Sequence, residues 1–373
     1  MFLSLREDME QSKTNMEGKF QRVTVKVGSQ VLTRDGGGLD EERMGKIVKQ
    51  VAQARREGIE IVLVSSGAVA MGRATLKIDE KIDAVSARQV FSAVGQAHLI
   101  GKYADLFEDE GVICGQVLTT KENLNNRRHY LNQRDCIRAM LERGVLPIVN
   151  ENDTIALTEL MFTDNDELSG LVATMTGSEA LIILSNVDGI YNGKPGEGDA
   201  SVISEVPAGK SVKQYIQTGK SQFGRGGMQT KAGIASKVAK EGIDVYIANG
   251  KRDDILTDLL KGADVPRTHF ARAEGVNSVK RWVAQSSTMA RGQVTVNARA
   301  DEALHQEGAH SLLLVGVCGV EGEWKKDDVI RVMNEAGEEI GVGRARYDSQ
   351  KTREEMGRRG AGALIHYDYL FLN

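Results

Sequence analysis

The sequence predicts an α/β protein: a mostly parallel sheet sandwiched by helices, followed by a small C-terminal β-rich domain. Three observations carry this. Short apolar runs suited to buried strands alternate with longer stretches of helical spacing through most of the chain. Two of those runs pass directly into small or polar residues, Ser65-Ser66-Gly67-Ala68 and Asn150-Glu151-Asn152-Asp153, and the strand ends of open α/β sheets are where ligands bind. Near residue 290 the rhythm gives way to short strand-like pieces separated by Gly-rich turns.

In chain order, residues 22–27 alternate like a strand and stop at Gly28-Ser29. Residues 39–57 have helical spacing in Met44, Ile47, Val48 and Val51, an acidic start and Gly58 after the end. Residues 60–64 form a buried strand, 85–110 a long helix, 112–118 a strand and 131–143 a helix. Leu146-Pro147-Ile148-Val149 is the next strand, and residues 180–184 and 245–248 are two more. Beyond them, residues 293–297, 311–317, 329–332 and 339–342 read as strands of a separate β unit. The expected division is a tail over 1–20, a first domain over 21–275, a linker over 276–292 and a second domain over 293–373.

Composition narrows the function classes. Lys+Arg 48 against Asp+Glu 52 gives a net charge of −4, so nothing global attracts nucleic acid or an anionic membrane. Cys114, Cys136 and Cys318 stand far apart and make neither a disulfide framework nor a zinc site, which suits a reducing cytoplasm. The six histidines lack metal-ligand spacing, and the first twenty residues lack the apolar core of a signal peptide. No apolar run is long enough to span a bilayer.

Chemistry concentrates in five places. The carboxylates and amides of residues 150–153, with Asp164-Asn165-Asp166 behind them, can accept from an ammonium, donate to a carboxylate or hold a hard cation; a polar turn is the alternative. Lys26 lies inside an apolar strand, where burial is costly unless its head emerges toward an anion; snorkelling from an edge strand is the alternative. The small residues from Ser65 to Gly72 would let backbone N–H groups approach an anion, or would simply pack tightly. Residues 185–191, Ser-Asn-Val-Asp-Gly-Ile-Tyr, form either a nucleotide pocket wall or a hairpin with a Gly turn. Gly224-Arg225-Gly226-Gly227-Met228-Gln229-Thr230-Lys231 opens a helix with glycines and a lysine, which suits polyphosphate; a flexible surface loop is the alternative. Gly219-Lys220-Ser221 mimics a Walker motif, but Gln214 occupies the place of the leading Gly, and no GxGxxG follows a strand.

Taken in order, Val25-Lys26-Val27-Gly28-Ser29, Ser65-Ser66-Gly67-Ala68, Asn150-Glu151-Asn152-Asp153, Asp164-Asn165-Asp166 and Gly226-Gly227-Met228-Gln229-Thr230-Lys231 resemble the glutamate 5-kinases of the amino-acid kinase family. The strands after residue 293 resemble the PUA domain that bacterial members carry, and the likeness runs over residues 21–350. The resemblance implies ATP-dependent phosphorylation of the side-chain carboxylate of L-glutamate, with Mg2+, as the first step of proline biosynthesis. It assigns Lys26 and Lys231 to the charge on the phosphoryl group in flight, and Asp166 to fixing those lysines or holding Mg2+ through water. Ser66, Asp153 and Asn165 would hold glutamate; Ser185, Asn186, Arg225, Gly226, Gly227, Met228, Gln229, Thr230 and Lys231, together with Lys26, would line the ATP site. No direct metal ligand is assigned.

Glutamate, already ionised, needs no general base, so the want of an obvious catalytic His is expected. The resemblance also implies a homo-oligomer, and the labile product would favour contact with glutamyl phosphate reductase. Asn186, where an Asp is usual, Arg225, where Thr or Ser is usual, and Tyr367, where Arg is usual, depart from the family pattern. The rival readings are an acetylglutamate kinase-like enzyme and an RNA-binding or regulatory protein acting through the PUA domain. Residues 293–373 carry 10 Lys+Arg against 14 Asp+Glu, which disfavours an RNA partner.

Overall fold

The computed structural model describes residues 20–34, 37–76, 83–125, 127–155, 165–193, 200–208, 210, 212, 227–274, 290–306, 310–358, 360 and 362–372. Residues 1–19 of the expected tail, and most of the expected linker, lie outside them.

Among the described residues, eight strands form one sheet: β1 (Arg22–Val27), β2 (Glu60–Ser65), β3 (Cys114–Thr119), β4 (Leu146–Glu151), β5 (Ala180–Ser185), β6 (Glu205–Val206), β7 (Asp244–Asn249) and β8 (Arg267–Phe270). Their order is β3-β4-β2-β1-β5-β7-β8-β6. Every neighbouring pair is parallel except β7 with β8, which is antiparallel. Sequence reading missed β6 and β8, which lack a long apolar run: β8 is only Arg267-Thr268-His269-Phe270. The chain leaves β1 for β2 on one side and reaches β5 on the other, so β1 lies at the switch point where open sheets bind ligands.

Strand alternation decides which helices each side chain meets. Val23, Val25 and Val27 point to one face with Ile61, Leu63, Ile148 and Ile182, packed against the helices Glu41–Arg56, Ala84–Asp109 and Ile255–Leu260. Val62, Val64 and Val149 join Leu168 and Val172 of the helix Asn165–Thr176 on the other face, while Leu181, Ile183, Val245 and Ile247 meet Ala232, Ala235 and Val238 of the helix Met228–Lys240. Thr24 and Lys26 have the parity of this second face: Lys26 lies in register between Val64 and Ile183. The lysine thus stands in the middle of the sheet rather than on an edge strand.

The helix Ala68–Thr75 crosses the helix Ala84–Asp109 at backbone contact. A Cβ added to Gly72 would lie 1.8 Å from the Phe91 carbonyl oxygen, and one added to Gly95 would lie 1.8 Å from that of Ala68. Only glycine on each helix permits this approach. Gly67, which starts the shorter helix, has φ 115°, a conformation that L side chains rarely adopt.

Beyond residue 290, five strands form a second sheet in the order β11-β9-β12-β13-β15, and β10 pairs with β14. Here β9 is Gly292–Val296, β10 Leu312–Leu313, β11 Val317–Gly322, β12 Val329–Met333, β13 Glu339–Arg344, β14 Ala363–Ile365 and β15 Leu370–Leu372. The expected strand over 311–317 is broken: a single 3₁₀ turn, Leu314–Gly316, separates β10 from β11 and buries Leu314. Two helices that sequence reading missed, Ala298–His305 and Ser349–Glu355, are short and polar, and each is capped by its own Asn297 or Asp348. Leu364, Ile365 and Leu370 belong to this domain's core, and β15 pairs antiparallel with β13, so the segment after residue 360 is integral to the fold.

Candidate active site

Because β1, β2, β4, β5 and β7 run parallel, their C-terminal ends share one rim of the sheet. That rim gathers Lys26, Ser66, the 150–153 string and Ser185 from strand ends. It also receives Asn165 and Asp166 from the start of one helix, and Lys231 from the first turn of another. Asp166 and Glu167 in the first turn complement the positive end of the helix dipole.

At the centre, two ammonium groups converge on one buried carboxylate. Lys26 Nζ lies 2.5 Å from Asp166 Oδ1, and Lys231 Nζ lies 2.7 Å from Oδ2. Asp166 is wholly buried, and Lys26 is 4% exposed. Burial pushes the Asp166 carboxyl up, but the two lysines outweigh it and hold it at about 2. Its folded value lies below its unfolded one, so its contribution to stability is fully present above pH ~4 and is lost only as the pH falls toward ~2. Asp166 therefore stays charged at neutral pH, with each carboxylate oxygen facing an ammonium group. Removing the shared carboxylate would be the costly change, by about 3–5 kcal/mol, because both ion pairs go with it.

A second network holds the polar string. Asn165 Nδ2 donates to Ser66 Oγ at 2.9 Å, to Asn150 Oδ1 at 2.9 Å and to the Ser65 carbonyl at 3.1 Å. Asn150 Nδ2 donates in turn to Gln96 Oε1 at 2.7 Å. Asp153 Oδ1 accepts from Arg88 Nε at 2.7 Å, Asp153 Oδ2 accepts from Ser92 Oγ at 3.2 Å, and Arg88 Nη2 reaches Glu151 Oε2 at 3.1 Å. Arg88, Ser92 and Gln96 were missed from sequence. They stand at i, i+4 and i+8 of the long helix, and that polar stripe beside the apolar face was a legible signal.

On the other side of β1, Ser185 is buried at the end of β5, while Asn186 is exposed. Gly227 starts the helix Met228–Lys240 with no side-chain cap among the described residues, and the N–H groups of such a first turn suit an anion. Gln229 is exposed, and Met228 and Thr230 are half-buried. Asp164, Arg225 and Gly226 lie outside the described residues. Asp188, beside Asn186, accepts from Asn249 at 3.1 Å and from Arg252 at 2.8 Å, so residues 185–188 are tied to the end of β7. The hairpin-like pairing comes later, where Tyr191 bridges Val202. Among the described residues no group of three or more His, Cys, Asp and Glu side chains could hold a metal ion, and no helix is long and apolar enough to cross a membrane.

Residues 21–249, which contain every element of this rim, match the family model described as "Amino acid kinase family". The chain belongs to the amino acid kinase family. This amino acid kinase also matches the PUA domain model over residues 292–362. It is 54% identical to the glutamate 5-kinase of Bacteroides thetaiotaomicron, over 96% of this chain and 100% of that one. It is 45% identical to the glutamate 5-kinase of Chlorobaculum tepidum, over 95% and 98%, and 37% identical to that of Trichlorobacter lovleyi, over 94% and 93%. In this amino acid kinase, several arginines of the PUA domain are matched by acids. Arg331 faces Glu339, Arg353 pairs with Glu323, and Arg358 pairs with Glu355. Arg344 lies 3.7 Å over the Tyr369 ring and 3.6 Å from Asp327.

Proposed function

We propose that this chain transfers the γ-phosphoryl group of ATP to the side-chain carboxylate of L-glutamate, giving glutamyl 5-phosphate, the first step of proline biosynthesis. The observation that carries the mechanism is the convergence of Lys26 and Lys231 on Asp166 at the switch point of the sheet. Carboxylate and ATP are both anionic and repel each other. Two fixed ammonium groups offset that repulsion and stabilise the charge that spreads over the phosphoryl oxygens in transit. Asp166 holds both lysines in place before the substrates arrive, so little reorganisation is left for the reaction step.

In this reading Ser66, Asp153 and Asn165 hold glutamate, with Asp153 taking the α-ammonium. Ser185, Asn186 and the segment from Arg225 to Lys231 hold ATP, with Lys26 reaching its phosphates. Mg2+ bound with the nucleotide would supply further positive charge at the phosphates, and no residue of this chain is assigned as its direct ligand. Both Asp166 oxygens already face lysines, so their part is to orient those side chains. The kinase domain spans 21–275, residues 276–292 link it onward, and the PUA-like domain spans 293–373.

Asp153 also favours free glutamate over its N-acetylated form, because a buried carboxylate beside the substrate nitrogen suits an ammonium and not an amide. Trapping the acyl phosphate with hydroxylamine checks this. Hydroxamate is expected with L-glutamate and ATP, and none above background with N-acetylglutamate. Hydroxamate from the acetylated substrate alone would replace this reading with the acetylglutamate one.

A further inference from the structure

We propose that Arg88 reads the α-carboxylate of the substrate while sharing Asp153 with its α-ammonium, so that the pocket selects a zwitterionic amino acid. This rests on the glutamate reading above. Glu151 and Asp153 are both buried, at 3% and 6% exposure, and they share the Arg88 guanidinium.

Both groups keep hydrogen-bonding capacity. Arg88 occupies Asp153 Oδ1, while among the described residues Asp153 Oδ2 accepts a single 3.2 Å bond, from Ser92, and retains lone-pair capacity. On the guanidinium, Nε and Nη2 are engaged, but Nη1 donates to no described residue, and the Arg88 side chain is 24% exposed. An ammonium seated on Oδ2 carries the α-carboxylate on the same carbon, beside the open edge of the guanidinium. The two N–H donors of Nη1, on a cation that keeps its charge at any working pH, suit it as a charge-assisted partner.

The bland reading is that Arg88 merely holds Glu151 and Asp153. Two analogues separate the readings. 4-Aminobutyrate is glutamate without the α-carboxylate, and glutarate is glutamate without the ammonium. ADP release gives the KM of glutamate and ATP, and the Ki of each analogue against glutamate, for the wild type, Arg88→Gln and Arg88→Lys. In Arg88→Gln, the KM for glutamate and the Ki of glutarate are expected to rise together, by roughly 30-fold, as for loss of a charge-assisted pair. The Ki of 4-aminobutyrate and the KM for ATP are expected to stay within about threefold. Arg88→Lys keeps the charge without the fork, and is expected to show the same pattern at about a fifth of the size. A parallel rise for 4-aminobutyrate and glutamate in either variant, or an unchanged KM for glutamate, would overturn the proposal. ADP release absent from the wild type with glutamate would instead overturn the activity reading itself, and this inference with it.

Discussion

Lys26→Met is expected to lower kcat by about 10³-fold, the scale of losing one preorganised positive charge at a phosphoryl-transfer site. The protein is expected to stay folded, with its midpoint of thermal unfolding within a few degrees of the wild type. Two opposing terms decide the second half of that statement. Removing Lys26 breaks a buried ion pair, but Asp166 keeps Lys231 at 2.7 Å, so no unpaired carboxylate is left behind. Methionine, for its part, fills the space with an apolar chain where Lys26 was 4% exposed on a face lined by Val64 and Ile183. Steady-state kinetics beside a melting curve checks both halves. A fall in kcat of less than tenfold would remove Lys26 from the chemistry. A collapse of the fold would make it a structural lysine.

Gly95→Ala is expected to act in the opposite manner, through the fold first. The added methyl would sit 1.8 Å from the Ala68 carbonyl oxygen and 2.5 Å from the Gly72 backbone nitrogen, both backbone atoms that cannot rotate away. The helices must separate, at a cost of about 3 kcal/mol or more, at the upper end of overpacking effects. The long helix also carries Arg88, Ser92 and Gln96, so its displacement is expected to raise the KM for glutamate in whatever fraction remains folded. Gly101→Ala, on the same helix with nothing within 4 Å of the added methyl, is the matched control and is expected to change stability by less than about 1 kcal/mol. Chemical denaturation of the two variants measures the difference; equal midpoints would contradict the packing account.

The sequence exposed six of the eight sheet strands of the first domain because their signal is local: an apolar run with a polar end reads as a strand whatever it pairs with. Lys26 was identifiable for the same reason, as a charge where burial would otherwise be costly. Its partner was assigned only through the family resemblance, not from local pattern. Asp166 is 140 positions away, and only the parity of β1 together with the placement of two helices brings them into contact. The helix Asn165–Thr176 went unread because its first turn, Asn-Asp-Glu, looks like a loop; buried Leu168, Val172 and Met175 hold it instead. Arg88 belongs to a polar stripe that the sequence shows, but nothing local tells a solvated arginine from one that reaches two carboxylates more than sixty residues away. The two short helices of the C-terminal domain were hidden by length and polarity, with only their Asn and Asp caps to mark them.

Isotope transfer tests the central chemistry most directly. L-Glutamate labelled with ¹⁸O in both side-chain carboxyl oxygens is incubated with ATP, the enzyme and hydroxylamine, and the released phosphate is analysed by mass spectrometry. Hydroxylamine attacks the carbonyl carbon of the acyl phosphate and expels the phosphate with the bridging oxygen attached. A carboxylate that attacked the γ-phosphorus therefore leaves one ¹⁸O in each phosphate released with hydroxamate. Phosphate free of label, formed at the same rate as hydroxamate, would mean that the carboxylate oxygen never joined phosphorus, and would contradict the account.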